Sequence, residues 1–148
     1  MKSDLPVKPM IAIFVAAVVL YIGFYSFIEC RRTRNGPWSV TFALDGQGIP
    51  TVTVNEPKLQ ISNLKIHFPG HTASPTNVTV VFHPPKPVPY EVPFGDCVFL
   101  DTTFQPGTVV LEIFGHEVQL MPRVLTIDKT EIPWKSDTAI SITSTNAR

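Results

Sequence analysis

Two hydrophobic patterns divide the chain. From Met10 to Ile28 the segment MIAIFVAAVVLYIGFYSFI holds 19 residues without a charge. As a helix rising about 1.5 Å per residue it spans about 28 Å, close to the thickness of a bilayer's hydrocarbon core. From Trp38 onward the apolar residues instead alternate with polar ones, the period of half-buried strands. The organisation expected is a short N-terminal tail over 1–9, a transmembrane helix over 10–28, a basic juxtamembrane linker over 29–36, a β-sandwich over 37–144 and a frayed tail over 145–148.

Within the body, Trp38, Val40, Phe42 and Leu44 share one face, and Val52 and Val54 follow after Asp45-Gly46-Gln47-Gly48. A three-residue loop over Gly46 to Gly48, with Gly48 left-handed, sets Phe42 opposite Val52 and Val40 opposite Val54. A four-residue loop would put the two faces out of phase. A second hairpin is read from Val109, Leu111 and Ile113, then Val118 and Leu120. Taking Gly115-His116 as a two-residue type II′ turn sets Ile113 against Val118 and Leu111 against Leu120, with His116 exposed at the tip. Leu59 and Ile61 fall on odd positions and Leu64, Ile66 and Phe68 on even ones, so a bulge or tight turn is expected at Ser62-Asn63. Val78 to Phe82, Val98 to Phe104, Val124 to Ile127 and Ala139 to Thr143 complete about eight short strands. Turn signals at this spacing indicate an all-β fold, an immunoglobulin-like or similar antiparallel β-sandwich, behind the single N-terminal helix.

Charge and composition sharpen this picture. Twelve basic and twelve acidic residues cancel overall, but residues 1–35 carry five basic against two acidic side chains, net +3, leaving −3 on the body. A mildly acidic body argues against nucleic-acid binding. The 15 prolines in 148 residues, 13 of them in the body, argue against long helices there. Tyr21 and Tyr25, with Arg31, Arg32 and Arg34, form an expected membrane interface, and the bilayer itself is the expected partner of residues 10–28. A cleaved signal peptide is the alternative, but Phe27-Ile28-Glu29-Cys30-Arg31 lacks a small-x-small cleavage site. The charge balance across the span is nearly even, and a short tail before a first apolar helix favours an exported body, periplasmic or extracellular. Cys30 reads as an inert juxtamembrane thiol, with palmitoylation the lesser option in a eukaryotic source, and Asn77-Val78-Thr79 is a glycosylation sequon wherever the chain enters a eukaryotic secretory pathway.

Candidate chemistry is sparse. His67, His71, His83, His116 and Cys97 are the residue types that bind copper or zinc. No motif frames them, since Pro69-Gly70 interrupts the His67–His71 spacing. No Gly-x-Ser-x-Gly elbow or Ser-x-x-Lys motif is present, so a catalytic role is not expected and no cofactor is implied. A hydrolase would require members of Asp96, Asp101, His67 and His83 to converge. Pro84, Pro85, Pro87 and Pro89 contain a Pro-x-x-Pro spacing, suited to peptide recognition or to a stiff crossover between sheets. The function expected is therefore binding: a membrane-anchored accessory or scaffold with a protein partner in the membrane or envelope. A tethered metal-handling or redox carrier is the alternative, and a tethered hydrolase the weaker one.

Overall fold

The computed structural model describes residues 6–32, 35–83 and 85–143, with Arg32 described by its backbone alone. The chain divides into two units, Met1–Arg34 and Asn35–Arg148. The first holds α1 (Val7–Arg32), a helix long and apolar enough to cross a membrane. Its large side chains are exposed all round, from 40% at Val18 to 72% at Tyr21. A helix apolar on every face is suited to lipid. Pro9 is tolerated because the first turn's N–H groups have no intrahelical acceptor. The helix continues past the apolar stretch through Glu29 to Arg32, so this part of the expected linker is helical. Arginine is a good helix former, and loss of apolarity does not by itself end a helix.

The second unit is mostly β, with two open sheets. The first sheet contains β1 (Ser39–Leu44), β2 (Pro50–Glu56), β3 (Ile61–His67), β4 (Asn77–Val81) and β11 (Ala139–Ser141), in the order β11-β3-β2-β1-β4. The second is a meander of β5 (Tyr90–Val92), β6 (Gly95–Asp101), β7 (Thr108–Ile113), β8 (His116–Leu120), β9 (Leu125–Ile127) and β10 (Thr130–Ile132). Every pairing is antiparallel except β11 on β3. The described residues thus form eleven strands rather than about eight. The additional ones include the three-residue strands β5 and β10, too short to show alternation. The chain fills the first sheet with four strands, makes the second, and returns once for β11. An immunoglobulin domain instead interleaves its strands between sheets.

The inner faces share one core, with Val40, Phe42, Val52, Val54, Leu64 and Ile66 from one sheet, Trp38 just before β1, and Cys97, Val109, Leu111, Ile113, Val118, Leu120 and Leu125 from the other sheet. Edge-on packing of Phe42 on Phe94, 5.7 Å between centroids, joins the layers. Trp38 Nε1 donates to Gly107 O at 3.0 Å, and its ring stacks on Trp134.

The first hairpin has the expected register, Phe42 opposite Val52 and Val40 opposite Val54, with Gly48 at φ +80°. At Ser62-Asn63 the pairing slips from Val54–Leu64 to Glu56–Ile61, and Asn63 is left-handed, so a bulge keeps both apolar sets inward. The second hairpin differs from expectation. Its loop is Phe114-Gly115, both at positive φ (51° and 81°), the signature of a type I′ turn. Ile113 therefore faces His116, and Leu111 faces Val118. The shift of two residues preserves the phase of the faces, which is why hydrophobic periodicity alone does not distinguish the two registers.

Candidate functional site

The register of β7 and β8 decides what His116 does. Placed opposite Ile113 on the inner face, it is fully buried rather than exposed at a tip. Its Nδ1 lies 2.6 Å from Asp128 Oδ2. Asp128 and Lys129 form the two-residue turn between β9 and β10, both left-handed. Asp128 is locked there by β8: its Oδ1 accepts from the Glu117 N–H at 3.0 Å and its own N–H donates to Glu117 O at 2.9 Å. An ionised carboxylate only accepts, so His116 Nδ1 donates to it.

His71 approaches from the first sheet's connection beyond β3. The Pro69-Gly70 turn, with Gly70 at φ +86°, brings it back so that its N–H meets Phe68 O at 3.4 Å. Its ring stacks on Phe114, 4.6 Å away and 14° from parallel. It stands edge-on to His116, with centroids 6.2 Å apart and planes at 85°. The Nε2 atoms of both histidines are buried and have no hydrogen-bond partner. Phe68 flanks both His116 and Phe114, at 6.1 and 5.5 Å. Phe94 stacks on Phe114 at 5.5 Å, joining this group to Phe42 and the central core. The site is thus two imidazoles set into an aromatic wall, with one carboxylate behind them.

The other expected ligands lie elsewhere. His67 Nδ1 is 2.8 Å from Thr51 Oγ1 and 3.8 Å from Asp45 Oδ2. The Ile49 N–H is the main influence that holds the Asp45 carboxyl below the usual carboxylate range. His83 is bonded to Gln105. Cys97 is buried, its Sγ 3.5 Å from Phe99 O, and burial raises its thiol pKa, keeping it in the protonated form that ligates poorly. Among the described residues no three His, Cys, Asp or Glu side chains converge as a metal site. Of the four residues of which a hydrolase would need at least two to converge, His67 and His83 have these separate partners, Asp101 caps the Thr103 N–H at 2.9 Å, and Asp96 is exposed on β6 opposite Glu112.

Pro85, Pro87 and Pro89 are exposed and belong to the crossing from β4 in the first sheet to β5 in the second. Lys86 Nζ sits 4.2 Å above the Tyr90 ring. Pro84 and Arg34, and the side chain of Arg32, lie outside the described residues. In the helix Tyr21 and Tyr25 are exposed and stack at 6.5 Å, while Arg31 lies over Phe27 at 5.7 Å.

Three further features escape a reading of the sequence. Asp128 reads there only as a turn or solvent-facing residue, although Asp-Lys between two apolar triplets is a compatible two-residue turn signal. Glu56 is fully buried at the N-cap of a 3-10 turn, where its Oε1 accepts from the Lys58 N–H at 3.1 Å while Oε2 has no partner. The third is the edge of β4, which has no strand on its outer side among the described residues. Its neighbour β1 occupies one side, and Val78 and Val81 are 45% and 51% exposed. Phe82 N–H donates to Trp38 O, so by antiparallel alternation the backbones of Val78 and Val80 face β1 and those of Asn77 and Thr79 face outward. The Val81 carbonyl accepts from the His83 N–H. No protein family, curated protein or solved structure matches this chain.

Proposed function

We propose that this is a single-pass membrane protein whose β body, a sandwich of the broad layered kind that includes immunoglobulin-like domains, acts by binding a protein partner in the membrane or envelope. The observation that carries the reading is the open edge of β4. The other edge strands, β5, β10 and β11, have three residues each, whereas β4 has five, Asn-Val-Thr-Val-Val, with no charge among them. Sheet edges left exposed are normally blunted by shortness, charge or proline. An unblunted edge suits strand addition, in which an extended segment of the partner bonds to the outward backbone groups of Asn77 and Thr79. The exposed Val78 and Val81 side chains then flank the added strand. On this reading the chain is a non-catalytic accessory or scaffold, held at the bilayer by α1 with its body outside the cytoplasm.

The test is site-specific photo-crosslinking of the full chain in its native membranes, with the probe at Thr79 and, as control, at Lys129 in the β9–β10 turn. A discrete adduct from position 79, absent from position 129 and lost on Val78→Lys with Val81→Lys, supports the reading. An adduct of twice the chain mass would assign the edge to a second copy instead. No adduct, or equal labelling at both positions, overturns it. Reporter fusions at the C-terminus, one active only outside the cytoplasm and one only within it, decide the side of the membrane.

A further inference from the structure

We propose that His71 and His116 form a two-coordinate site for a soft monovalent cation, copper(I). The site is independent of partner binding at β4. Its first support is the pair of orphan nitrogens, since both Nε2 atoms are buried without a partner. A polar atom left so is penalised, and a bound ion would remove that penalty. The second is the carboxylate behind the pair. By accepting from His116 Nδ1, Asp128 leaves the Nε2 lone pair free and fixes the ring, the outer-shell arrangement that orients histidines bound to metals.

The third support is the spacing. With a metal–nitrogen distance of about 2.0 Å, each ring centroid would lie about 3 Å from the ion. With both Nε2 atoms turned into the gap between the rings, the observed 6.2 Å between centroids would match two ligands on nearly opposite sides of one ion rather than at a tetrahedral angle. Finally, the surroundings select the ion. Phe68 and Phe114 wall the pair, and among the described residues no third His, Cys, Asp or Glu joins it. Structural zinc takes four ligands, and a divalent ion stripped of water by apolar walls would be under-coordinated. Copper(I) accepts two nitrogen donors in a linear arrangement, carries a single charge, and is well served by imidazole. His71 is only partly buried, so the ion has a path from that side.

The test uses the full chain in detergent, without a polyhistidine tag and in a Cys30→Ser background, because that exposed thiol competes for the ion. Copper(I), kept reduced with ascorbate, is titrated against a chromophoric copper(I) chelator. One equivalent is expected, with two nitrogen neighbours and no sulfur by X-ray absorption. His71→Phe keeps the stack on Phe114 and should abolish this binding at an unchanged melting temperature. Asp128→Asn should weaken it about 10- to 100-fold, as loss of an outer-shell partner does. Failure to retain copper, retention undiminished in His71→Phe, or sulfur in the coordination shell would each overturn the assignment.

Discussion

His116 and Asp128 lie twelve residues apart in sequence and 2.6 Å apart in space, because two adjacent two-residue turns bring the start of β8 beside the β9–β10 corner. The carboxylate serves two donors, the imidazole Nδ1–H and the Glu117 N–H. Asp128→Ala removes both acceptors and leaves the His116 ring buried with neither nitrogen satisfied. Hydrogen bonds to charged groups contribute about 1.5–3 kcal/mol each, and the partial exposure of Asp128 places the expected loss near the lower end, about 2 kcal/mol. Thermal unfolding followed by circular dichroism checks this, and an unchanged midpoint would show the pair to be energetically idle.

Gly95 opens β6 at the tip where Phe94 and Phe114 stack. A Cβ there would lie 1.9 Å from the Glu112 carbonyl oxygen and 3.1 Å from Ile113 Cα, both backbone atoms of the neighbouring strand. Because backbone cannot swing aside as a side chain can, Gly95→Ala should destabilise by at least about 1–3 kcal/mol, the usual cost of overpacking. Gly46 is the contrast, since a methyl group there would meet nothing within 4 Å and its φ is not positive. Gly46→Ala should be neutral or stabilise by up to about 1 kcal/mol. Equal midpoints for the two variants would contradict the close approach of β6 and β7.

The two hairpins mark where sequence reasoning succeeds and where it stops. The helix and the β1–β2 hairpin are legible because a long apolar run has few other uses, and because Gly48 agrees with the phase of Phe42 and Val52. The β7–β8 hairpin is legible in its faces but not in its loop. Gly115 can take the first place of a II′ turn or the second of a I′ turn, and the second requires Phe114 at positive φ, a position that bulky residues rarely occupy. Stacking of Phe114 on His71 and Phe94 provides a compensation that no local pattern shows. The II′ alternative sends His116 to solvent, and with it goes any sign that His116 meets His71 and Asp128. Such long-range convergence is a property of sheet order, not of spacing.

Phe42 tests the layered core directly. It is fully buried, faces Val52 within its own sheet, and meets Phe94 of the other edge-on. Phe42→Ala should cost about 3–5 kcal/mol, the transfer loss plus that of the cavity left behind. A chemical denaturation midpoint within error of the parent would mean that the sheets do not pack through this ring.

Burial sets the sign of the pH dependence at Glu56. Loss of hydration is the main influence raising this carboxyl's pKa above its ordinary value, against the opposing Lys58 N–H. A folded-state pKa above the unfolded one means that the folded chain holds the proton more tightly. The group's contribution is then most favourable below the unfolded carboxyl range, declines as pH rises through the folded pKa, and is constant above it. Glu56→Gln keeps the shape and an acceptor for Lys58 while removing the charge that neutral pH forces into the interior. The variant should therefore melt above the parent at pH 7, and the gap should close as pH falls toward about 4, where the parent carboxyl is also neutral. A variant that melts lower than the parent by the same margin at both pH values would show that the buried carboxylate is stabilised by a partner it needs, rather than penalised by its burial.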